Sequence, residues 1–86
     1  MKIQKIINYK EIYHDIEAWP IWECPISEFD WEYSDDEVCL IINGEIIVTT
    51  EDERIMISPG EFIKFPKGLR CKWTVLKPVS KYYKFI

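Results

Sequence analysis

The sequence predicts an all-β domain: a single small barrel with at most one short helical turn near its N-terminus. Three observations lead there. Turn signals recur about every eight to ten residues, at Pro20, Pro25, Ser34-Asp35-Asp36, Asn43-Gly44, Glu51-Asp52-Glu53, Ser58-Pro59-Gly60, Pro66-Lys67-Gly68 and Lys77-Pro78, the rhythm of a meandering sandwich or barrel. The stretches between them are rich in β-branched and aromatic residues, which suit a pleated, half-buried surface. Two stretches also alternate apolar and polar side chains with the two-residue period of a strand.

Taken in order, residues 10–17 place Ile12 and Ile16 four apart, the spacing of one helical face, and supply the one candidate helical turn. Phe29-Asp30-Trp31-Glu32-Tyr33-Ser34 puts Phe29, Trp31 and Tyr33 on one strand face and Asp30, Glu32 and Ser34 on the other. Asn43-Gly44 is the strongest turn signal. Both central positions of a tight type I′ hairpin need positive φ, so a strand near 37–42 is expected to reverse there into one near 45–50. Arg54 to Ile57 and Phe62 to Phe65 are short strands. Cys71-Lys72-Trp73-Thr74-Val75 alternates again, with Cys71, Trp73 and Val75 together. Aromatics pointing inward from several strands imply a barrel interior partly filled by side chains. The chain is expected to be one domain over residues 1–86, the first 18 residues forming an N-terminal extension.

Composition narrows the function classes. With 48% hydrophobic, 15% aromatic and 30% charged residues, the chain has the balance of a folded, soluble domain. Eleven Lys and Arg against fifteen Asp and Glu leave a formal charge of -4, the wrong sign for a general phosphate-binding surface, so no nucleic-acid partner is expected. The longest apolar run, Val38 to Ile42, is far too short to span a bilayer, so no membrane partner is expected either. Three cysteines at no disulfide-scaffold spacing suit a reducing cytoplasm, the expected location. A chain of 86 residues buries only about 60% of its unfolded surface, and an apolar C-terminal strand from Lys81 to Ile86 sits poorly alone at an edge. A homodimer is expected on both grounds.

Glu37 followed by six residues and Gly44, and Gly60, Pro66 and Gly68 at the spacing of a Gly and a Pro-x-Gly turn, resemble the two signatures of the cupin superfamily of small jelly-roll-like β-barrels. The recurring words Trp19-Pro20-Ile21-Trp22, Phe29-Asp30-Trp31, Glu45-x-x-Val48-Thr49, Phe65-Pro66-Lys67-Gly68 and Lys81-x-Tyr83 are similar to the short single-domain branch grouped with the (S)-ureidoglycine aminohydrolase cupin domain. The similarity covers about residues 19–86. It implies a cupin barrel, a dimer and, for enzymes of that branch, ammonia release from a ureido-type substrate with a bound divalent metal.

The same alignment marks where this chain departs from the pattern. A typical cupin holds its metal with three imidazoles and one carboxylate. Here the carboxylate position keeps Glu37, while Trp31, Tyr33 and Cys71 stand at the imidazole positions and Val75 at the asparagine of the second signature. The only histidine, His14, lies upstream and reads as a surface residue. No resident cofactor is therefore expected.

Glu37 shares strand parity with Trp31, Tyr33 and Cys39, which favours an inward carboxylate over one solvated beside Asp35 and Asp36. Inside an aromatic barrel it would serve as a general acid or base, a ligand anchor, or the acceptor of a structural hydrogen bond from the Tyr33 hydroxyl. Glu37, Cys39 and Cys71 form the alternative zinc-like donor set. Cys71 as a nucleophile lacks a histidine base, and Cys24 beside Pro25 is a bystander. Trp31, Tyr33 and Trp73 either fill the core or line a pocket. Lys67 and Arg70 either grip an anion at the barrel mouth or belong to a solvated turn. The expected function is small-molecule binding in the barrel interior by Trp31, Tyr33, Glu37, Cys71 and Trp73, without the three-imidazole metal site. A metal-dependent aminohydrolase with Glu37 as its best catalytic candidate, and a purely structural domain, are the alternatives.

Overall fold

The computed structural model describes residues 1–86, and two long strands organise it. β4 (Glu37–Thr49) has 13 residues and β7 (Arg70–Phe85) has 16, and they pair antiparallel along most of their length. Their register shifts between Ile41 and Asn43, between Asn43 and Glu45, and between Glu45 and Ile46. Such bulges bend a strand pair and sharpen its twist, so each end of the pair joins different neighbours. Near Glu37, β4 pairs with β6 (Phe62–Phe65), β6 pairs with β1 (Gln4–Lys5), and the end of β7 pairs with β2 (Ile21–Cys24). Beyond the bend, β4 pairs with β5 (Arg54–Ile57) and β7 with β3 (Ser27–Glu32). One seven-stranded antiparallel sheet thus folds back on itself, and the alternate side chains of its two halves meet in a core that includes Cys39, Ile41, Ile46, Val48, Phe65, Trp73 and Val75. The all-β expectation holds.

The hairpin expected at Asn43-Gly44 is not there. Both residues lie inside β4, at the bend. Gly44 has φ of +100°, and a Cβ there would stand 2.5 Å from the Pro78 carbonyl oxygen and 2.7 Å from the Val79 Cα. Close approach of two backbones, combined with positive φ, requires the glycine. The Lys77-Pro78 turn signal also falls inside a strand, β7, at the facing side of the same bend. There proline's missing N–H is tolerated because the ladder is already irregular. The C-terminal stretch from Lys81 does not stand alone at an edge: β4 pairs along it, and β2 pairs with Lys81 and Tyr82 on its other side.

The N-terminal segment forms α1 (Tyr9–Ile12) and a 3₁₀ turn (Ile16–Ala18), close to the predicted helical turn. It lies over the outer face of the sheet, where Tyr9 stacks on Phe62 at 4.8 Å and Ile16 packs with Val38. No helix is long and apolar enough to cross a membrane.

Candidate functional site

The two halves of the sheet do not close completely. Between them lies a cavity of about 200 Å³, and the period of two along each strand decides what faces it. β4 contributes Glu37 and β7 contributes Trp73, Lys81, Tyr83 and Phe85; β3 gives Phe29 and Trp31, Tyr33 follows it, and β2 gives Trp22. The Tyr33 backbone is held on both sides by the turn after β6: its N–H donates to the Leu69 carbonyl at 2.9 Å and its carbonyl accepts from the Gly68 N–H at 2.7 Å. That clasp lays the Tyr33 ring flat on Phe65, centroids 4.7 Å apart. Trp73 stacks on Phe29 at 6.1 Å and meets Trp22 edge-on at 5.7 Å.

The polar floor of this cavity is an ion pair. Lys81 Nζ donates to Glu37 Oε2 at 2.6 Å, and both residues are only 5% exposed. The ammonium also stands 4.8 Å from the Trp73 ring centroid, 5.0 Å from that of Trp22 and 6.0 Å from that of Phe65. Two charges removed from water are costly unless each meets the other with good geometry. Here the short hydrogen bond and the negative faces of the rings supply that compensation. The expected hydrogen bond from the Tyr33 hydroxyl to Glu37 is replaced by this one from Lys81. A lysine holds three donors, so two stay free after Glu37 is served.

Trp73 Nε1 is a further donor, buried with no hydrogen-bond partner. It lies near the Tyr33 hydroxyl and the Cys71 sulfur, whose anions it would steady, yet it completes a hydrogen bond with neither. An unpaired buried donor costs about 1–3 kcal/mol, and with no accessible surface of its own this one is a cost of the packing, not a contact for a ligand. Burial, reinforced by the Glu37 charge, pushes the Tyr33 phenol far above its ordinary range, so it stays a neutral O–H. Burial likewise pushes the Cys39 thiol up to about 12 and the Cys71 thiol up to about 11. Neither is a thiolate near neutral pH.

Of the sequence candidates, Trp31, Tyr33, Glu37 and Trp73 meet at the cavity. Trp31 is 51% exposed and forms its rim rather than its interior. Cys71, opposite Trp31 in the β3–β7 register, is buried but is not part of the cavity wall. Lys67 and Arg70 lie elsewhere: the Lys67 backbone N–H donates to Asp36 Oδ1, and Arg70 pairs with Glu32 on the surface at 3.2 Å. His14 is exposed on the N-terminal segment. Lys81 was missed, as were Trp22, Tyr83 and Phe85 as wall residues. The signal for Lys81 was present in Val79-x-Lys81-x-Tyr83, where a lysine occupies the inward parity of an apolar strand.

Family resemblance brings a metal into question, and the donor set can be tested against it. The three imidazole positions carry Trp31, Tyr33 and Cys71, and Glu37 already faces the Lys81 ammonium. No three His, Cys, Asp or Glu side chains gather as a ligand group, Glu37, Cys39 and Cys71 included. These residues do not fit the cupin metal.

The EutQ-like cupin domain profile matches residues 14–83. The chain belongs to the EutQ-like cupin family. This cupin is similar to a DUF861 family protein of Thermotoga maritima, with 48% identity, a TM-score of 0.87, and 99% of this chain aligned to 98% of that one. It shares its fold with the EutQ protein of Clostridium difficile, at 21% identity and a TM-score of 0.68, where 94% of this chain covers 63% of the other. A cupin superfamily protein of Desulfitobacterium hafniense aligns at 19% identity and a TM-score of 0.65, over 77% of this chain and 63% of that one. Among curated proteins no sequence matches.

Proposed function

We propose that this cupin binds a small, flat organic molecule in the cavity between its half-sheets, with the Glu37–Lys81 pair taking the place of a metal centre as the polar floor. The observation that carries the reading is the cavity itself: aromatic walls over a buried ion pair. Flat walls favour a planar ligand body. The spare donors of Lys81 favour an acceptor oxygen at its inner end. The ring faces that would attract an organic cation are already occupied by the Lys81 ammonium, so cationic ligands are disfavoured. A ureido or amide group satisfies this floor well, its oxygen facing the donors and an N–H facing the second oxygen of Glu37. That is the point of contact with the aminohydrolase resemblance. A homodimer belongs to the same proposal, on the small size of the chain and the exposed Ile21, Leu76 and Phe85, and sedimentation velocity tests it directly.

The binding test is a thermal-shift and calorimetric comparison of benzamide, phenylurea and benzylammonium on the full chain. Benzamide and phenylurea should stabilise the protein and benzylammonium should not. Equal binding of all three, or of none, would overturn the reading.

A further inference from the structure

Lys81 is the one buried lysine of the chain, and its position asks for more than a structural explanation. Its nitrogen faces a cavity that admits a small molecule, and a carboxylate stands within proton-transfer distance at 2.6 Å. A lysine that only closed a core would not need a cavity on its open side.

We propose that Lys81 is a nucleophile that condenses with a small aldehyde or ketone held between the aromatic walls, with Glu37 carrying the protons. This rests on the binding reading above and adds a covalent step to it. At rest the pair is ammonium and carboxylate, steadied by each other and by the ring faces. When a ligand enters and displaces water, the charged forms lose solvation, and transfer of one proton along the existing hydrogen bond gives a neutral amine and a neutral acid. The amine nitrogen then adds to the carbonyl carbon as the C=O π bond breaks, and the oxygen takes the proton from Glu37. The Glu37 carboxylate next removes a proton from nitrogen and delivers it to the hydroxyl. The C–O bond breaks, water leaves, and the nitrogen lone pair closes the C=N bond. The balance is ammonium plus carbonyl giving iminium plus water, with no oxidant or reductant consumed. Glu37 ends as the carboxylate it began as, now paired with an iminium.

The experiment treats the protein with benzaldehyde and sodium cyanoborohydride, which delivers hydride to the iminium and fixes it as a benzylamine, followed by peptide mapping. Confinement of the two reactants should make Lys81 react about a hundredfold faster than exposed Lys10 or Lys67. Lys81→Arg should abolish the fast modification, and Glu37→Gln should slow it about a hundredfold through loss of the proton carrier. Should Glu37→Gln fail to fold, the wild-type comparison of Lys81 with the exposed lysines decides alone. Thermal stabilisation by benzaldehyde with no preference for Lys81 would overturn the condensation and leave the binding reading standing. Neither stabilisation nor modification would overturn both.

Discussion

Phe62 and Phe65 lie three residues apart on β6 and face opposite sides of the sheet. On the outer face Phe62 is covered by Tyr9 at 4.8 Å and Tyr13 at 5.1 Å, and Ile16 and Val38 complete a closed cluster. On the inner face Phe65 carries Tyr33 at 4.7 Å and lies 6.0 Å from the Lys81 ammonium, and Tyr33 and Lys81 in turn line a cavity of about 200 Å³. Both sides use the same chemistry, tyrosine stacked on phenylalanine with tryptophan nearby. The outer cluster closes because the N-terminal segment brings rings with no buried ion pair between them; the one ammonium at hand, Lys84 at 5.7 Å from the Trp19 ring, is exposed. The inner one stays open around an ion pair whose partners must be met in fixed geometry. Aromatic density alone therefore does not distinguish a core from a pocket. A charged pair among the rings does.

The largest effect expected from breaking this difference comes from Lys81→Met. It leaves Glu37 buried without its counter-ion and should cost about 3–5 kcal/mol in urea unfolding at neutral pH. Adding Glu37→Leu should return most of that loss, because an apolar pair of similar volume replaces the charges. A double variant as unstable as the single one would mean that the pair does more than satisfy itself. Phe62→Ala tests the other face. It should cost about 3 kcal/mol through lost burial and a residual cavity, while leaving the affinity for benzamide unchanged in calorimetry.

Smaller effects sharpen the comparison. Trp73→Phe keeps an aromatic wall and deletes a buried N–H that no partner takes, so stability in urea unfolding should change by less than about 1 kcal/mol. The smallest effect concerns the thiols. Relative to an ordinary value of 9.0, Cys71 is raised to about 11, which lowers its thiolate fraction near neutral pH about a hundredfold. Cys24 should therefore react first with a maleimide, and Cys71 and Cys39 should follow only at alkaline pH or after unfolding. The sign for stability follows from the same shift. The folded state keeps the Cys71 proton after the unfolded chain has released it, so this contribution is whole below pH 9 and declines as pH climbs toward 11.

Much of the fold was legible because turns and strand parity are local properties. Trp31, Tyr33, Glu37 and Trp73 fell on the cavity-lining face, by strand parity and, for Glu37, also by the cupin spacing, and Pro66-Lys67-Gly68 turns where its residues require. Asn43-Gly44 misled because positive φ serves a bulge as well as a hairpin, and only the backbone of Pro78 and Val79 distinguishes the two. The inward parity of Lys81 was legible in Val79-x-Lys81-x-Tyr83, but its pairing was not, for a different reason. A lysine in an apolar strand ordinarily points to solvent, and its burial depends on a carboxylate 44 residues away. Nothing in the neighbourhood of Lys81 in the sequence announces Glu37.

That separation also bears on how the molecule comes into being. Glu37 lies opposite Phe85 and Trp22 opposite Lys81, so the walls of the cavity join distant parts of the chain. Loops this long must close before any contact repays them, and such topologies fold on the order of milliseconds to seconds. No fragment of the chain can hold the floor in miniature, since neither half-sheet contains both β4 and β7 without the other end of each. Recovery of ligand binding and recovery of native tryptophan fluorescence after dilution from urea should accordingly share one rate constant.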